Sequence, residues 1–387
     1  MNDAIGPAAP PEGARLRALR DEFPILAHSN YLNSCSLGAL SRRAEGRLGE
    51  FLGRWHTMGA SAWYEHWLGA LDELRGRMER FFGAEAGEVA LSPSTSVALA
   101  SIAESIDWDA RPRVVTTELD FPTLVYQFRA RPEVEVVVLR SEDGLGVEPA
   151  QFAEVVDERT ALIATSHVQF MTGYRQDLEA LGRIAREAGA LTLIDGYQGA
   201  GQVVTHPRDE GVDVYTSGPL KWLCGGPGLS YLWVRRELVP ELTPRLVSWF
   251  GVRDPFRFDP GAVELRDDAR RFEMGTPALA TVHTALGAQE LLDEVGIEAI
   301  EARNRDLTER LVRALRGGGF EPRVPGDPAR RSAIVTVPHP DPTGAVAALA
   351  ARGIIVDARP GIVRFSPHFY NTVDEVEGAA AALGLTL

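Results

Sequence analysis

Leu191-Thr192-Leu193-Ile194-Asp195-Gly196-Tyr197-Gln198 is a short apolar run that stops on a carboxylate and turns away through glycine. Such a run bounded by turn residues reads as a buried strand, and its surroundings repeat the pattern. Glu88–Leu91, Arg113–Thr117, Val134–Leu139 and Ala161–Ser166 precede Ala190–Asp195; Val212–Thr216 and Leu229–Val234 follow it. Helical spacing fills several of the gaps, as in Asp177–Ala188, where Leu178, Leu181, Ile184 and Ala185 share a face. Strand and helix in alternation predict an α/β fold with a mostly parallel, seven-stranded sheet covered on both sides. Sheets of this kind bind ligands beyond the carboxyl ends of their strands, which makes Asp195 and its equivalents after other strands the places to look for chemistry.

From about Pro255 the texture changes. A loop rich in Arg, Asp and Pro (Gly251–Arg271) leads to helical stretches at Leu279–Leu292 and Ile297–Leu315. Strands near Ser332–Val337 and Ile354–Val356 and a last helix at Val373–Leu383 follow. The expected division is an N-terminal arm (1–30) that packs with the small domain, a large domain (31–255) and a smaller C-terminal α/β domain (256–387).

Length and composition agree with this organisation. The 387 residues suit roughly two or three units of ~150 residues, and 45% hydrophobic with 24% charged residues is an ordinary globular mixture. A formal charge of −14 repels a phosphate backbone, so nucleic acid is not an expected partner. No apolar run is long enough to span a bilayer, and residues 1–20 lack the apolar core of a signal peptide. Two cysteines, Cys35 and Cys224, are too few for a disulfide framework and suit a reducing cytoplasm. The eight histidines are scattered without ligand spacing, so no metal is expected. Gly196, Gly199 and Gly201 follow a strand in the order G-x-x-G-x-G, which is not the dinucleotide fingerprint.

Among 40 basic residues Lys221 is the only lysine, the other 39 being arginine. A bias toward arginine explains the 39 but not the exception. Guanidinium is always charged, whereas a lysine amine can shed its proton when desolvated and attack a carbonyl to form a Schiff base. Asp195 precedes it at the same expected sheet edge. A Schiff-base lysine and a carboxylate facing a pyridinium nitrogen are what pyridoxal 5'-phosphate (PLP) requires of a protein. At ~4 Å and an effective dielectric of ~20, carboxylate and pyridinium attract by ~4 kcal/mol, enough to keep the ring protonated.

Beyond these two residues, Asp213-Val214-Tyr215, Pro219-Leu220-Lys221-Trp222-Leu223, Gly225-Gly226-Pro227-Gly228, Arg271-Phe272-Glu273-Met274-Gly275-Thr276-Pro277, Arg364-Phe365-Ser366 and Tyr370-Asn371-Thr372 stand in order. With them the chain, from about Tyr31 onward, resembles the class V aminotransferases, PLP enzymes of fold type I. Tyr31-Leu32-Asn33, Ser36-Leu37-Gly38, Ser94-Thr95-Ser96, Phe121-Pro122-Thr123 and Trp249-Phe250-Gly251 are similar to segments of the kynureninase and cysteine desulfurase branch.

The resemblance implies that Lys221 holds the cofactor and later moves the substrate's α-proton, that Asp195 faces the pyridine nitrogen, and that Gln198 bonds the phenolic oxygen. It implies Phe121 stacked on the ring, although a Phe before Pro also suits a core. Thr95 and Ser96, opening a helix after a strand, suit a phosphate, and could equally cap that helix; Ser217 is a further phosphate candidate. Thr276 and Trp249 would reach the phosphate from a neighbouring subunit, which implies a homodimer with shared sites. Arg364 would pair with an amino acid's α-carboxylate. Asn33 and His167 are further substrate-side candidates, His167 being equally suited to a structural role.

Three departures narrow the chemistry. Cysteine desulfurases carry a cysteine shortly before the arginine matched to Arg364, where this chain has Asp357-Ala358-Arg359-Pro360-Gly361-Ile362-Val363. Kynureninases usually place tyrosine before the lysine and often aspartate after the Phe-Pro-Thr segment; here stand Leu220 and Leu124. The expectation is a PLP enzyme cleaving a C–C or C–S bond of an amino acid without a catalytic cysteine. The alternatives are amino transfer to a keto acid, epimerisation, or a silent PLP-fold binding protein, the last opposed by retention of both Lys221 and Asp195.

Overall fold

In the computed structural model, which describes residues 14–261 and 263–386, all seven expected strands join one sheet. In chain order the strands are β1 (Asn30–Tyr31), β2 (Val89–Ser92), β3 (Arg113–Thr117), β4 (Glu135–Leu139), β5 (Thr160–Ser166), β6 (Leu191–Asp195), β7 (Val214–Ser217) and β8 (Ser230–Val234). β9 (Val335–Pro338), β10 (Ile354–Ile355), β11 (Asp357–Arg359) and β12 (Ile362–Phe365) follow. The helices are α1 (Ala14–Asp21), α2 (Arg42–Met58), α3 (Leu68–Phe81), α4 (Thr95–Ala103), α5 (Pro122–Arg129), α6 (Pro149–Ala153) and α7 (Leu178–Ala188). The C-terminal part adds α8 (Leu279–Val295), α9 (Ile297–Gly317), α10 (Pro342–Ala350) and α11 (Val373–Leu383).

The large sheet runs β2-β8-β7-β6-β5-β3-β4, and β8 alone runs opposite to the other six strands. Every residue of β2, β5, β7 and β8 is buried, as expected where helices cover both faces of a sheet. α7 shows how local sequence sets an element's limits: Asp177 accepts the Ala180 N–H at its start, and Gly189 ends it in the left-handed region.

The C-terminal part has its own apolar core, in which Leu307, Leu311 and Leu315 of α9 meet Val335, Val337, Val363 and Phe365 of the β11-β12-β9 sheet and Leu383 of α11. The hairpin β11–β12 has no counterpart among the expected strands, because Arg359-Pro360-Gly361 reads as a loop and each arm is too short to show alternation. α8, expected in the small domain, shares a core with α2 and α3, burying Val282, Leu286, Leu291 and Leu292 there. At ~1.5–3 kcal/mol for each large apolar side chain buried, those contacts bind α8 to the large sheet's side. We propose that the two units part at Gly296, between α8 and α9, and not at 255.

The N-terminal segment is tied to the C-terminal one. Arg20 pairs with Glu375 at 2.7 Å, Phe23 lies against Phe369 and Tyr370, and β1 pairs in parallel with β10. Residues 1–13 of the expected arm lie outside the described residues.

Candidate active site

Five segments, each following the carboxyl end of a parallel strand, converge on one cavity of about 260 Å³. Ser94, Thr95 and Ser96 come after β2; Phe121 and Thr123 after β3; Ser166, Val168 and Phe170 from β5 and beyond; Asp195, Tyr197 and Gln198 from β6 and beyond; Leu220 and Lys221 after β7. Residues scattered over more than 120 positions in sequence meet because parallel strands end on the same side.

Lys221 makes no ion pair among the described residues. Its amine lies 4.8 Å from the centre of the Tyr197 ring and 5.8 Å from that of Phe121. Burial lowers its pKa to about 8, making the uncharged, nucleophilic form accessible near neutrality. Asp195 is buried, which raises its pKa to about 6 against the opposing pull of the Tyr197 N–H, 2.9 Å from one carboxylate oxygen. Facing a pyridinium in place of an apolar wall, the same carboxylate would gain the counter-charge that burial denies it. Gln198 is fixed at both ends of its amide: Nε2 donates to the Cys35 carbonyl at 3.0 Å, and Oε1 accepts from Trp222 Nε1 at 2.8 Å.

Position bears on the two open alternatives at α4 and Phe121. The cap of α4 is Ser94, whose hydroxyl accepts the Val97 N–H, so neither Thr95 nor Ser96 is needed for that role. Ser96 is exposed at the helix start, and Thr95 Oγ1 lies 3.1 Å from Ser230 Oγ. A helix N-terminus with hydroxyls beside it and the cavity in front suits a dianion. Phe121 is not a core residue: it is 45% exposed, edge-on to Phe170 at 5.3 Å, at the cavity wall.

Other candidates stand outside the cavity. Ser217 is fully buried, its hydroxyl donating to the Gly196 carbonyl at 3.2 Å. His167 is fully buried, with Nδ1 3.1 Å from the Tyr215 hydroxyl, and burial holds its pKa well below the usual value. Asn33 bridges to Ser366 and lies beside Cys35. Arg364 is 1% exposed and already engaged, as described below. Trp249 and Thr276 are on the surface, Trp249 lining a separate recess with Phe258 and Val263. Burial raises the Cys224 thiol to about 12, which leaves it a packing residue.

One residue of the site gave no clear signal in the sequence. Asp120, immediately before Phe121, is a buried carboxylate that accepts from six donors. These are Thr116 Oγ1, Thr117 N–H and Oγ1, Thr165 Oγ1, Ser166 N–H and Gln169 Nε2, at 2.6–3.4 Å. It fastens the ends of β3 and β5 to each other and so sets where Phe121 stands. An acid directly after a strand and before an aromatic-proline pair was the available sign. Gly38 is a second anchor. Its N–H donates to the Leu220 carbonyl at 2.8 Å, and a Cβ there would stand 2.0 Å from the Lys221 carbonyl oxygen, so only glycine lets the two backbones meet.

Residues 48–378 match the family model described as aminotransferase class-V. The chain belongs to the class V aminotransferases. An uncharacterized aminotransferase YcbU of Bacillus subtilis is 30% identical over 372 residues, covering 93% of this chain and 95% of that one. A kynureninase of Geobacillus thermodenitrificans is 28% identical over 381 residues, covering 93% and 89%. Among solved structures, a lysine-to-alanine variant of C-DES with glycine covalently linked to its PLP cofactor superposes with a TM-score of 0.87 at 21% identity, over 94% of this chain and 98% of that one. Class V aminotransferases are PLP enzymes of fold type I, and the cavity fits that cofactor: a lone amine, a buried carboxylate, a helix N-terminus and an aromatic wall surround one space.

Proposed function

We propose that this class V enzyme cleaves a C–C or C–S bond β to the amine-bearing carbon of a small or aromatic amino acid. The observation that carries the reading is the placing of Lys221 and Asp195 on one cavity at the sheet's carboxyl edge. The kynureninase relatives support cleavage over transfer. Bound PLP supplies an aldehyde that captures a primary amine and a ring that draws electrons away from the carbon bearing it. Lys221 Nζ holds the cofactor, then takes the proton from that carbon and returns it at the end. Asp195 keeps a proton on the ring nitrogen. Ser94, Thr95 and Ser96 receive the phosphate at the start of α4, Phe121 covers the ring, and Gln198 steadies its phenolic oxygen. Val168, Phe170 and Leu220 give the remaining wall an apolar lining that excludes water from the deprotonated carbon.

Arg364 is the proposed partner of the α-carboxylate, and the working unit a homodimer in the cytoplasm. Trp249, Phe256 and Phe258 make ring contacts with one another on the surface, and Tyr64 lies 5.9 Å from Phe256. Such a cluster is what a second subunit covers. In it Trp249 and, beyond it, Thr276 would serve the partner's phosphate. Light scattering at a size-exclusion column's outlet tests the dimer, and Trp249→Ala tests the shared site through cofactor retention.

Amino transfer is the second reading, favoured by the YcbU relative. Amino acids supplied with and without a keto acid separate the two. A shorter amino acid, or a keto acid with ammonia, released with no acceptor supports cleavage. A stoichiometric loss of visible absorbance, restored by a keto acid, replaces it with transfer.

A further inference from the structure

Arg364 does not stand ready with an open guanidinium. It and Asp357 are cross-strand partners in the β11–β12 hairpin, joined in an ion pair whose arginine is buried and whose carboxylate is half-buried. Ser36 Oγ donates to the same Asp357 oxygen at 3.0 Å and accepts from Arg364 Nη2 at 3.1 Å. Arg364 Nη1 donates to the Phe170 carbonyl at 2.7 Å, while Nε is buried without a partner. The other oxygen of Asp357 accepts from Arg359 Nη1 at 2.7 Å, and Arg359 is the more exposed of the two arginines. One carboxylate thus lies between two guanidiniums, leaving one net positive charge, close enough to Lys221 that both arginines act on its amine.

We propose that Asp357 is a resident competitor for the substrate's carboxylate: it neutralises Arg364 in the free enzyme and yields it to the incoming α-carboxylate while keeping Arg359. The inference rests on the amino-acid reading of the site given above. A carboxylate approaching the Arg364–Asp357 pair alone meets no net charge. With Asp357 drawn toward Arg359, it meets a freed Nη2 beside the unused Nε–H, a bidentate edge. The three-group arrangement therefore selects substrates that bring one carboxylate and discounts those that bring none.

The test compares L-alanine with ethylamine, which differ by the carboxylate, as ligands of the PLP-loaded protein, by calorimetric titration and by the shift in visible absorbance. Asp357→Asn keeps shape and removes the competing charge. It is expected to increase the preference for L-alanine over ethylamine roughly tenfold, with ethylamine affinity unchanged. Arg359→Gln, at the exposed end, removes the alternative partner and is expected to weaken L-alanine alone, about threefold. A preference that stays level or falls in Asp357→Asn overturns the proposal, since Asp357 would then only position Arg364. So does tighter or unaltered L-alanine binding in Arg359→Gln. Arg364→Gln separates this failure from failure of the underlying reading: if it leaves the preference intact in a yellow, folded protein, the carboxylate partner is not Arg364 at all.

Discussion

Lys221 and Arg364 are the two cations assigned to the proposed site, one half-buried and one buried, and the protein treats them in opposite ways. Lys221 has no counter-ion within bonding distance among the described residues, so burial is the largest influence on it, outweighing the pull of Asp195, and its amine loses charge easily. Arg364 is surrounded by a carboxylate, a hydroxyl and a carbonyl, and keeps its charge compensated. On the proposed reading, the cofactor end is built from a group left chemically hungry and the substrate end from a group held in balance. A nucleophile must be able to shed a proton, whereas a recognition group must stay charged without paying a full desolvation penalty.

The contrast breaks completely if Lys221 is not the reactive amine. Lys221→Ala is expected to abolish turnover, a fall of roughly a thousandfold or more, and to leave no pyridoxyl peptide after borohydride reduction of the loaded protein. Asp195→Asn keeps shape and removes the charge opposite the ring. It should lower kcat by about two to three orders of magnitude while the carboxylate-dependent preference at Arg364 survives, read from kcat and from ligand titration. Asp120→Ala strips the acceptor from six donors. A loss of roughly 3 kcal/mol or more of stability is expected, seen as a lower midpoint in urea, with weaker cofactor retention as Phe121 loosens.

A finer test uses pH on the cofactor-free protein. The Lys221 pKa falls from 10.5 in an open chain to about 8 in the fold, so between those values the unfolded state carries more protons and stability rises with pH. Lys221→Met should remove that slope and stabilise the protein below pH 8, by up to ~3 kcal/mol. Asp195, raised from 3.8 to about 6, acts in the other direction: stability declines across that interval, and Asp195→Asn should flatten it. The smallest effect is expected at His167→Gln, about 1 kcal/mol of stability from the Tyr215 contact with little change in kcat.

Much of this was legible from residue types. A sheet whose strands are buried on both faces announces itself by unbroken β-branched runs, and all seven were visible. Lys221 stood out because a chain that writes arginine everywhere else must have a chemical reason for one amine. Asp357 gave no such sign, since an acid in an Asp-Ala-Arg-Pro-Gly loop looks solvated until the hairpin folds it against Arg364. Nor does the α8 segment declare its partner: an apolar helical stretch shows that it will be buried, not in which core.

Local sequence determined which elements form and which side chain is the lone amine, because backbone preference and side-chain chemistry are properties of the residues themselves. Only the tertiary structure decided that Ser94 caps its helix, that Phe121 faces the cavity, that His167 is sealed behind it and that Asp357 answers Arg364. Those outcomes depend on distances between segments remote in the chain, and both burial and pairing energies are set by what lies within a few ångströms.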